Sequence, residues 1–395
     1  MTQASGAGAR LSIGPGRIAH RLSRARHLAA ESGLDALLVG VGADLAYLAG
    51  YAALPLERLT MLVVPARGRP TLVVPRLEAM AARATAAAEA ETVAVLPWDE
   101  TEDPFALVAD AAERGAEGGA GTVRSVAVSD RLWATFVLRL EEALPGARFS
   151  LVSDVLRGER MVKDPDEVEL LRAAARAADR VVEQVAHGRL IGRTELDVSR
   201  EVRDRLVIEG HDEAAFAIVG SGPNSASPHH QATDRVIRAG EPIVLDIGGT
   251  LGGYGSDITR TLWVTGGDPA KSPDEAFLAL YRVLRDAQAA ATREVRPDVP
   301  AEHIDAVARE IISAAGYGPA FLHRTGHGIG LEEHEDPYIV AGNRTPLRPG
   351  MAFSIEPGIY IEGRYGARIE DIVVCGEDGP IVLDTVTRDL LVVHG

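Results

Sequence analysis

The chain has 395 residues, with 57 acidic against 41 basic side chains and a formal net charge of −16. That length exceeds one ordinary compact domain and predicts two, and an apolar fraction of 46% beside 25% charged residues excludes intrinsic disorder as the main state. The acidic excess disfavours nucleic acid as a partner, because phosphate contacts need a basic surface. The single cysteine, Cys375, allows no intrachain disulfide and fits a reducing, cytoplasmic setting. No run approaches the roughly 20 apolar residues of a membrane span; the stretch from Leu34 to Leu48 is interrupted by Asp35 and Asp44. Met1 to about Gly16 lacks the apolar core of a signal peptide and reads as a frayed tail.

Alternating helix-like and strand-like segments fill the first 155 residues or so. Ile18–Ser32 has helical spacing and stops at Gly33, and Ala36–Val39 is a short apolar run. Met61–Pro65 and Thr71–Pro75 flank Gly68 and Pro70 and predict a hairpin. Arg76–Ala90 is Ala-rich and predicts one helix. Strands at Val93–Leu96 and Ser125–Val128, helices at Pro104–Arg114 and Leu132–Leu144, and a short strand near Ser150–Val152 complete a small α/β domain. Gly40-Val41-Gly42 has Leu45 where a dinucleotide loop needs its third glycine.

A polar boundary follows at about Arg160, which predicts domains over residues 1–158 and 159–395. Asp164 suits a helix N-cap, Pro165 the first helical position and Glu167 the capping-box acid. That helix runs to about His187 and a second covers Glu195–Glu209. Strand-like runs then dominate, at Phe216–Val219, Pro242–Leu245, Asp257–Val264, Met351–Ile355 and Arg368–Val374, with helices near Asp274–Arg293 and Ala301–Ala315. This half is α+β with antiparallel sheet.

Two hairpins in it carry acids. Asp246 and Asp257 flank Gly-Thr-Leu-Gly-Gly-Tyr-Gly, and pairing them directly centres the turn between Leu251 and Gly252. Glu356 and Glu370 likewise centre a turn on Gly363. Residues facing each other across a ladder share a face, so four carboxylates converge. Buried together they repel unless something positive lies between them. With one imidazole, for which His327 between Gly326 and Gly328 is the candidate, they suit two divalent cations: manganese first, then cobalt, iron or zinc. The glycines let the backbone pass close to the bound group. Four negative charges against four positive ones leave a neutral centre, in which the pKa of a water is lowered.

These motifs resemble those of the pita-bread metallopeptidases: Leu-Asp246-Ile-Gly-Gly, Ser-Asp257-Ile-Thr-Arg-Thr, Thr-Gly-His327-Gly-Ile-Gly-Leu-Glu-Glu-His334, Ile-Glu356-Pro-Gly and Arg-Ile-Glu370-Asp. The likeness covers about residues 160–395, and the N-terminal α/β domain is similar to that of aminopeptidase P, prolidase and creatinase. It implies a creatinase-like α/β domain followed by an α+β pita-bread catalytic domain. Methionine aminopeptidases usually lack the first domain, and creatinases lack the full ligand set.

The implied activity is hydrolysis of the Xaa-Pro bond in dipeptides or at peptide N-termini, with Asp246, Asp257, His327, Glu356 and Glu370 holding two divalent metals and a bridging hydroxide attacking the scissile carbonyl. Glu356 would pass the proton to the prolyl nitrogen. His334 would stabilise the oxyanion. Pro228-His229 matches the substrate-side histidine of the proline-specific members, with His230 one position away; His323 matches a leaving-group histidine that would share a face with His327 if the segment were helical. Arg368, two residues before Glu370, shares its face in one strand and serves a ligand carboxylate or the substrate's own carboxylate. Thr259 supports the same face, while Asp371 points away. A homodimer acting on peptides with proline second, without nucleic acid or membrane, is implied by resemblance. The alternatives are a creatinase-like C–N hydrolase and a non-catalytic binding protein of the same fold.

Overall fold

The computed structural model describes residues 11–115 and 122–395; the predicted tail lies outside the described residues as far as Arg10. Residues 12–160 form one compact unit. Its order is α1 (Pro15–Glu31), β1 (Ala36–Gly40), α2 (Ala43–Ala49), β2 (Met61–Pro65), β3 (Thr71–Pro75), α3 (Ala79–Arg83), α4 (Ala86–Glu89), β4 (Ala94–Trp98), α5 (Pro104–Glu113), β5 (Ser125–Val128), α6 (Ala134–Ala143), β6 (Arg148–Leu151) and α7 (Ser153–Met161). The strands form one mixed sheet in the order β4-β3-β2-β1-β5-β6. Its central strands β1 and β2 are buried at every position, which is why they read as unbroken apolar runs. The predicted hairpin is present, with Met61 opposite Val73.

Three local expectations in this unit are corrected. The Ala-rich stretch Arg76–Ala90 is not one helix: a 3₁₀ turn (Arg76–Glu78) leads into α3, and the chain restarts as α4 at Thr85. The Thr85 hydroxyl donates to Ala82 O and accepts from the Ala88 N–H, so it closes one helix and caps the next. Helices α2 and α7 occupy segments for which no element is predicted.

The unit formed by residues 161–395 begins with α8 (Pro165–Ala186), whose capping box uses Asp164 and Glu167 as predicted, and α9 (Glu195–Ile208). Then come β7 (Glu213–Ser221), β8 (Glu241–Leu251), β9 (Tyr254–Val264), α10 (Glu275–Arg293), α11 (Ala301–Ala314), β10 (Gly326–Gly328), β11 (Glu335–Ile339), β12 (Ala352–Ile355), β13 (Gly358–Ile361), β14 (Tyr365–Arg368), β15 (Asp371–Cys375), β16 (Pro380–Val382) and β17 (Leu391–Val393). A sheet ordered β17-β9-β8-β7 packs against α8 and α9, through Val181, Val182, Val202, Leu206 and Ile258 among others. A second, ordered β11-β10-β12-β15-β16, shares a core with α10 and α11 built on Phe277, Leu284, Ile304, Ala308 and Phe353. Cys375 is buried in that core.

The register of the first acidic hairpin is two residues away from the prediction. Asp246 faces Thr259, and Asp257 faces Gly248. The turn is Gly252-Gly253, both at positive φ (59° and 83°), the conformation a two-residue hairpin turn demands and glycine supplies without strain. Parity is kept, so both carboxylates still share a face as diagonal neighbours. The second hairpin has the predicted register: Gly358 faces Arg368 and Ile355 faces Asp371. The predicted strand Arg368–Val374 is split at Ile369-Glu370, because the Glu370 N–H donates to Thr259 O instead of to a ladder partner. Arg368 therefore does not share a strand with Glu370.

Arg260 fastens that break. It is fully buried, donating to Thr387 O, Thr259 O, Glu370 O, Val386 O and the Asp371 carboxylate. Removing it leaves four buried or part-buried carbonyls without this donor and takes one of two arginines from buried Asp371, which Arg388 and Gln288 still bond. The substitution Arg260→Met should cost about 3 kcal/mol and lower the melting temperature by roughly 6–12 °C. Calorimetry checks this, and a fall under about 2 °C would contradict it.

Candidate metal centre

Asp257 on β9, His327 on β10 and Glu370 in the break after β14 each bring one ligand-capable atom within 4.8 Å of the others. All three are buried, as is Asp246 on β8. Glu356, just past the end of β12, is half-buried; its Oε1 lies 3.3 Å from His327 Nε2, which is 3.6 Å from Asp257 Oδ2. Three of the five residues singled out from the sequence thus form one cluster; Glu356 meets it at His327, and Asp246 acts electrostatically on Asp257, Glu356 and Glu370.

The imidazole is aimed into this cluster. His327 Nδ1 lies 3.1 Å from Gly328 O; a carbonyl only accepts, so Nδ1 carries the proton and the Nε2 lone pair faces the carboxylates. Burial, reinforced by His334, pushes the ring's pKa down to about 3 and keeps it neutral. The flanking glycines serve the sheet rather than a cofactor. A Cβ on Gly326 would collide with Ser354 O, and one on Gly328 with Asp336 O, so only glycine lets β10 lie this close to its neighbours.

The acids are held from one side only. Thr259 Oγ1 donates to Glu370 Oε2 at 2.6 Å, and Arg368 Nη2 donates to Asp246 Oδ2. Their other oxygens, Glu370 Oε1 and Asp246 Oδ1, are buried with no hydrogen-bond partner. Bare buried carboxylate oxygens are costly, and a divalent cation is the group that satisfies them; oxygen donors with one imidazole nitrogen suit manganese, cobalt, iron or zinc. Burial and the neighbouring acids raise the carboxyls of Asp257 and Glu370 well above their usual range. Burial likewise lifts Glu356 to about 7, against the opposing pull of Arg368. The charge balance drawn from the sequence omits Arg368, a buried cation in contact with Asp246.

The other predicted residues lie around this cluster in different roles. His334 is exposed, its ring centroid 3.9 Å from that of His327 and its Nδ1 3.4 Å from Arg324 Nη2. His323 is not helical; its Nε2 meets Tyr360 Oη at 2.9 Å, and burial lowers its pKa to about 4. Arg368 is braced internally, by Thr259 Oγ1 (3.0 Å), Tyr360 Oη (2.7 Å), Pro228 O (3.2 Å) and Asp246. The neighbouring histidines are separated: His230 bonds Glu195, whereas His229 is exposed and acts electrostatically on His323. Asp371 turns away into the Arg260 network, as predicted. Tyr360 was not foreseen. The signal was available, since it continues the period-two series of Glu356 and Gly358.

The model of metallopeptidase family M24 matches residues 169–377, and that of the creatinase/prolidase N-terminal domain matches residues 21–162. The probable dipeptidase PepE of Mycobacterium tuberculosis is 48% identical over 376 residues, covering 95% of this chain and 96% of the relative. The Xaa-Pro dipeptidase of Pyrococcus furiosus is 34% identical over 322 residues, covering 81% and 86%. Among solved structures, dipeptidase PepE from Mycobacterium ulcerans superposes with a TM-score of 0.88 at 45% identity, covering 97% of this chain and 99% of that one.

Without metal, the folded chain holds more protons on these carboxyls than the unfolded chain does. Stability of the metal-free protein should therefore fall as pH rises from the usual glutamate value of 4.5 through about 7. By the same linkage, Mn²⁺ binding at pH 6 should release protons. Titration calorimetry in two buffers of different ionisation enthalpy measures that release; identical heats would mean the carboxyls are already ionised.

Proposed function

This chain belongs to metallopeptidase family M24, and we propose that it is a metal-dependent peptidase of the dipeptidase kind, cleaving the Xaa-Pro bond. The observation that carries this reading is the buried set of Asp246, Asp257, His327 and Glu370 with half-buried Glu356 beside it, and one bare oxygen on each of Asp246 and Glu370. Its relatives include a probable dipeptidase and an Xaa-Pro dipeptidase. Two divalent ions, manganese first, would neutralise the acids, lower the pKa of a water and polarise the scissile carbonyl. Residues 1–158 would form the creatinase-like domain and 159–395 the catalytic one. The protein would work as a cytoplasmic homodimer; no helix among the described residues is long and apolar enough to cross a membrane.

The side chains divide the remaining work. Glu356 is the proton carrier: half-buried, with its Oε1 accepting from Ser354 Oγ at 3.1 Å, it takes the proton of the attacking water and returns it to the prolyl nitrogen. His334 supplies a donor for the developing oxyanion. Arg324 can only donate, so His334 Nδ1 accepts from it and Nε2 carries the proton. His229 takes the prolyl side from the exposed face and His323, neutral and bonded to Tyr360, lies behind it. Arg368 orients Asp246 and the Pro228 carbonyl. Asp257 would meet the substrate's free amine and so confine cleavage to chain ends.

Release of proline from Ala-Pro, compared with cleavage of Ala-Pro-Phe and Ala-Ala in Mn²⁺, tests this reading. Ala-Pro should be the best substrate, and a chelator should abolish turnover. Equal rates on Ala-Ala would overturn the proline specificity, and turnover surviving chelation would overturn the metal dependence. Glu356→Gln should lower kcat by about 10²–10⁴-fold with the fold intact by circular dichroism; a loss of under about tenfold would assign proton transfer elsewhere.

A further inference from the structure

Glu195 opens α9, is fully buried, and belongs to no part of the proposed reaction. Seven hydrogen bonds converge on its carboxylate. Oε1 accepts from the Ser221 N–H (2.8 Å), Ser221 Oγ (2.7 Å) and Asn224 Nδ2 (3.0 Å). Oε2 accepts from His230 Nε2 (2.8 Å), Thr233 Oγ1 (2.8 Å), the Thr233 N–H (3.1 Å) and Asn224 Nδ2 (3.2 Å). All these donors lie in residues 221–233, the connection from β7 toward β8 that carries Pro228 and His229. Burial works against the charge, yet the bonds from His230, Ser221 and Thr233 outweigh it and hold the carboxyl down at about 2.

The arrangement needs a carboxylate. Hydroxyls rotate and an imidazole changes tautomer, but a main-chain N–H only donates. Each Glu195 oxygen faces one: Ser221 at Oε1, Thr233 at Oε2. A glutamine amide, in either orientation, would set its NH₂ against one of them. The middle of the connection is tied to the centre. Pro228 O accepts from Arg368 Nη1, and Arg368 Nη2 donates to Asp246; Ser225 Oγ accepts from the Gly366 N–H at 2.9 Å. Engaging His230 with Glu195 leaves its neighbour on the exposed side.

We propose that Glu195 is a positioning residue for the reaction, its two oxygens holding residues 221–233 in the one conformation that presents His229 to the prolyl side of the substrate and the Pro228 carbonyl to Arg368. This rests on the role given to His229 above. The test is kinetic, on the manganese-loaded full chain with Ala-Pro. Glu195→Gln should raise KM about tenfold with kcat within about twofold and manganese content unchanged. In a His229→Ala background the same substitution should add less than about twofold, because the two act as one unit. An unchanged KM in Glu195→Gln, or a full tenfold effect retained in the His229→Ala background, overturns the positioning role. An unchanged KM in His229→Ala overturns the role of His229 itself, read from a separate variant. Hydrogen exchange on the metal-free protein gives a second readout. Amides of residues 221–233 should exchange at least about tenfold faster in Glu195→Gln with β8 and β9 unchanged; acceleration spread evenly over the chain, or none, counts against it. If Glu195→Gln does not fold, Asn224→Ala removes one anchor, leaves the charge, and takes its place in the same cycle with the same outcomes.

Discussion

Like charges packed together below the surface govern the catalytic half of this molecule. Asp246, Asp257 and Glu370 are buried, with half-buried Glu356 beside them, and carboxylates so placed repel each other and lose their hydration together. The fold compensates in part from within. Arg368 contributes one buried cation, and Thr259 one short hydrogen bond. The remainder is left to divalent cations, which is why burial and the neighbouring acids push the carboxyls of Asp257 and Glu370 well above their usual range and why one oxygen each of Asp246 and Glu370 has no hydrogen-bond partner. A site this unfavourable when empty is preorganised to be filled.

Holding acids in that state demands rigid backbone, and the two sheets supply it by crossing their hydrogen bonds at one place. The break between β14 and β15 gives the Glu370 N–H to Thr259 and the Glu370 carbonyl to Arg260. The first sheet thereby grips a ligand candidate that belongs to the second. Arg260 makes no hydrogen bond to a ligand side chain; its five hydrogen bonds, four of them buried, hold the strand path. Arg368 ties the same centre to the connection carrying His229. The proposed metal centre and the proposed prolyl side thus share one buried side chain, Arg368.

Much of this was legible in the residues because of period and punctuation. The capping box at Asp164 and Glu167 sits where local side-chain chemistry decides it. The inward convergence of Asp246 with Asp257 survives a two-residue error in register, because side-chain direction depends on parity and an even shift preserves it. The glycines around His327 were visible, but their reason was not: they admit the carbonyls of Ser354 and Asp336, which lie 28 and 8 residues away in sequence from Gly326 and Gly328. The Ala-rich segment misled for a local reason, a threonine hydroxyl competing for the backbone.

From the chain alone came the two-domain plan, the five ligand candidates and the family resemblance, all of which follow from residue type, short spacing and strand parity. Which histidine of Pro228-His229-His230 faces outward, what Arg368 touches, and why Glu195 must be a carboxylate were decided only on folding. Each depends on donors and acceptors that meet across 26 to 140 residues of sequence. Hydrogen-bond geometry at that range is set by packing, and no local pattern encodes it.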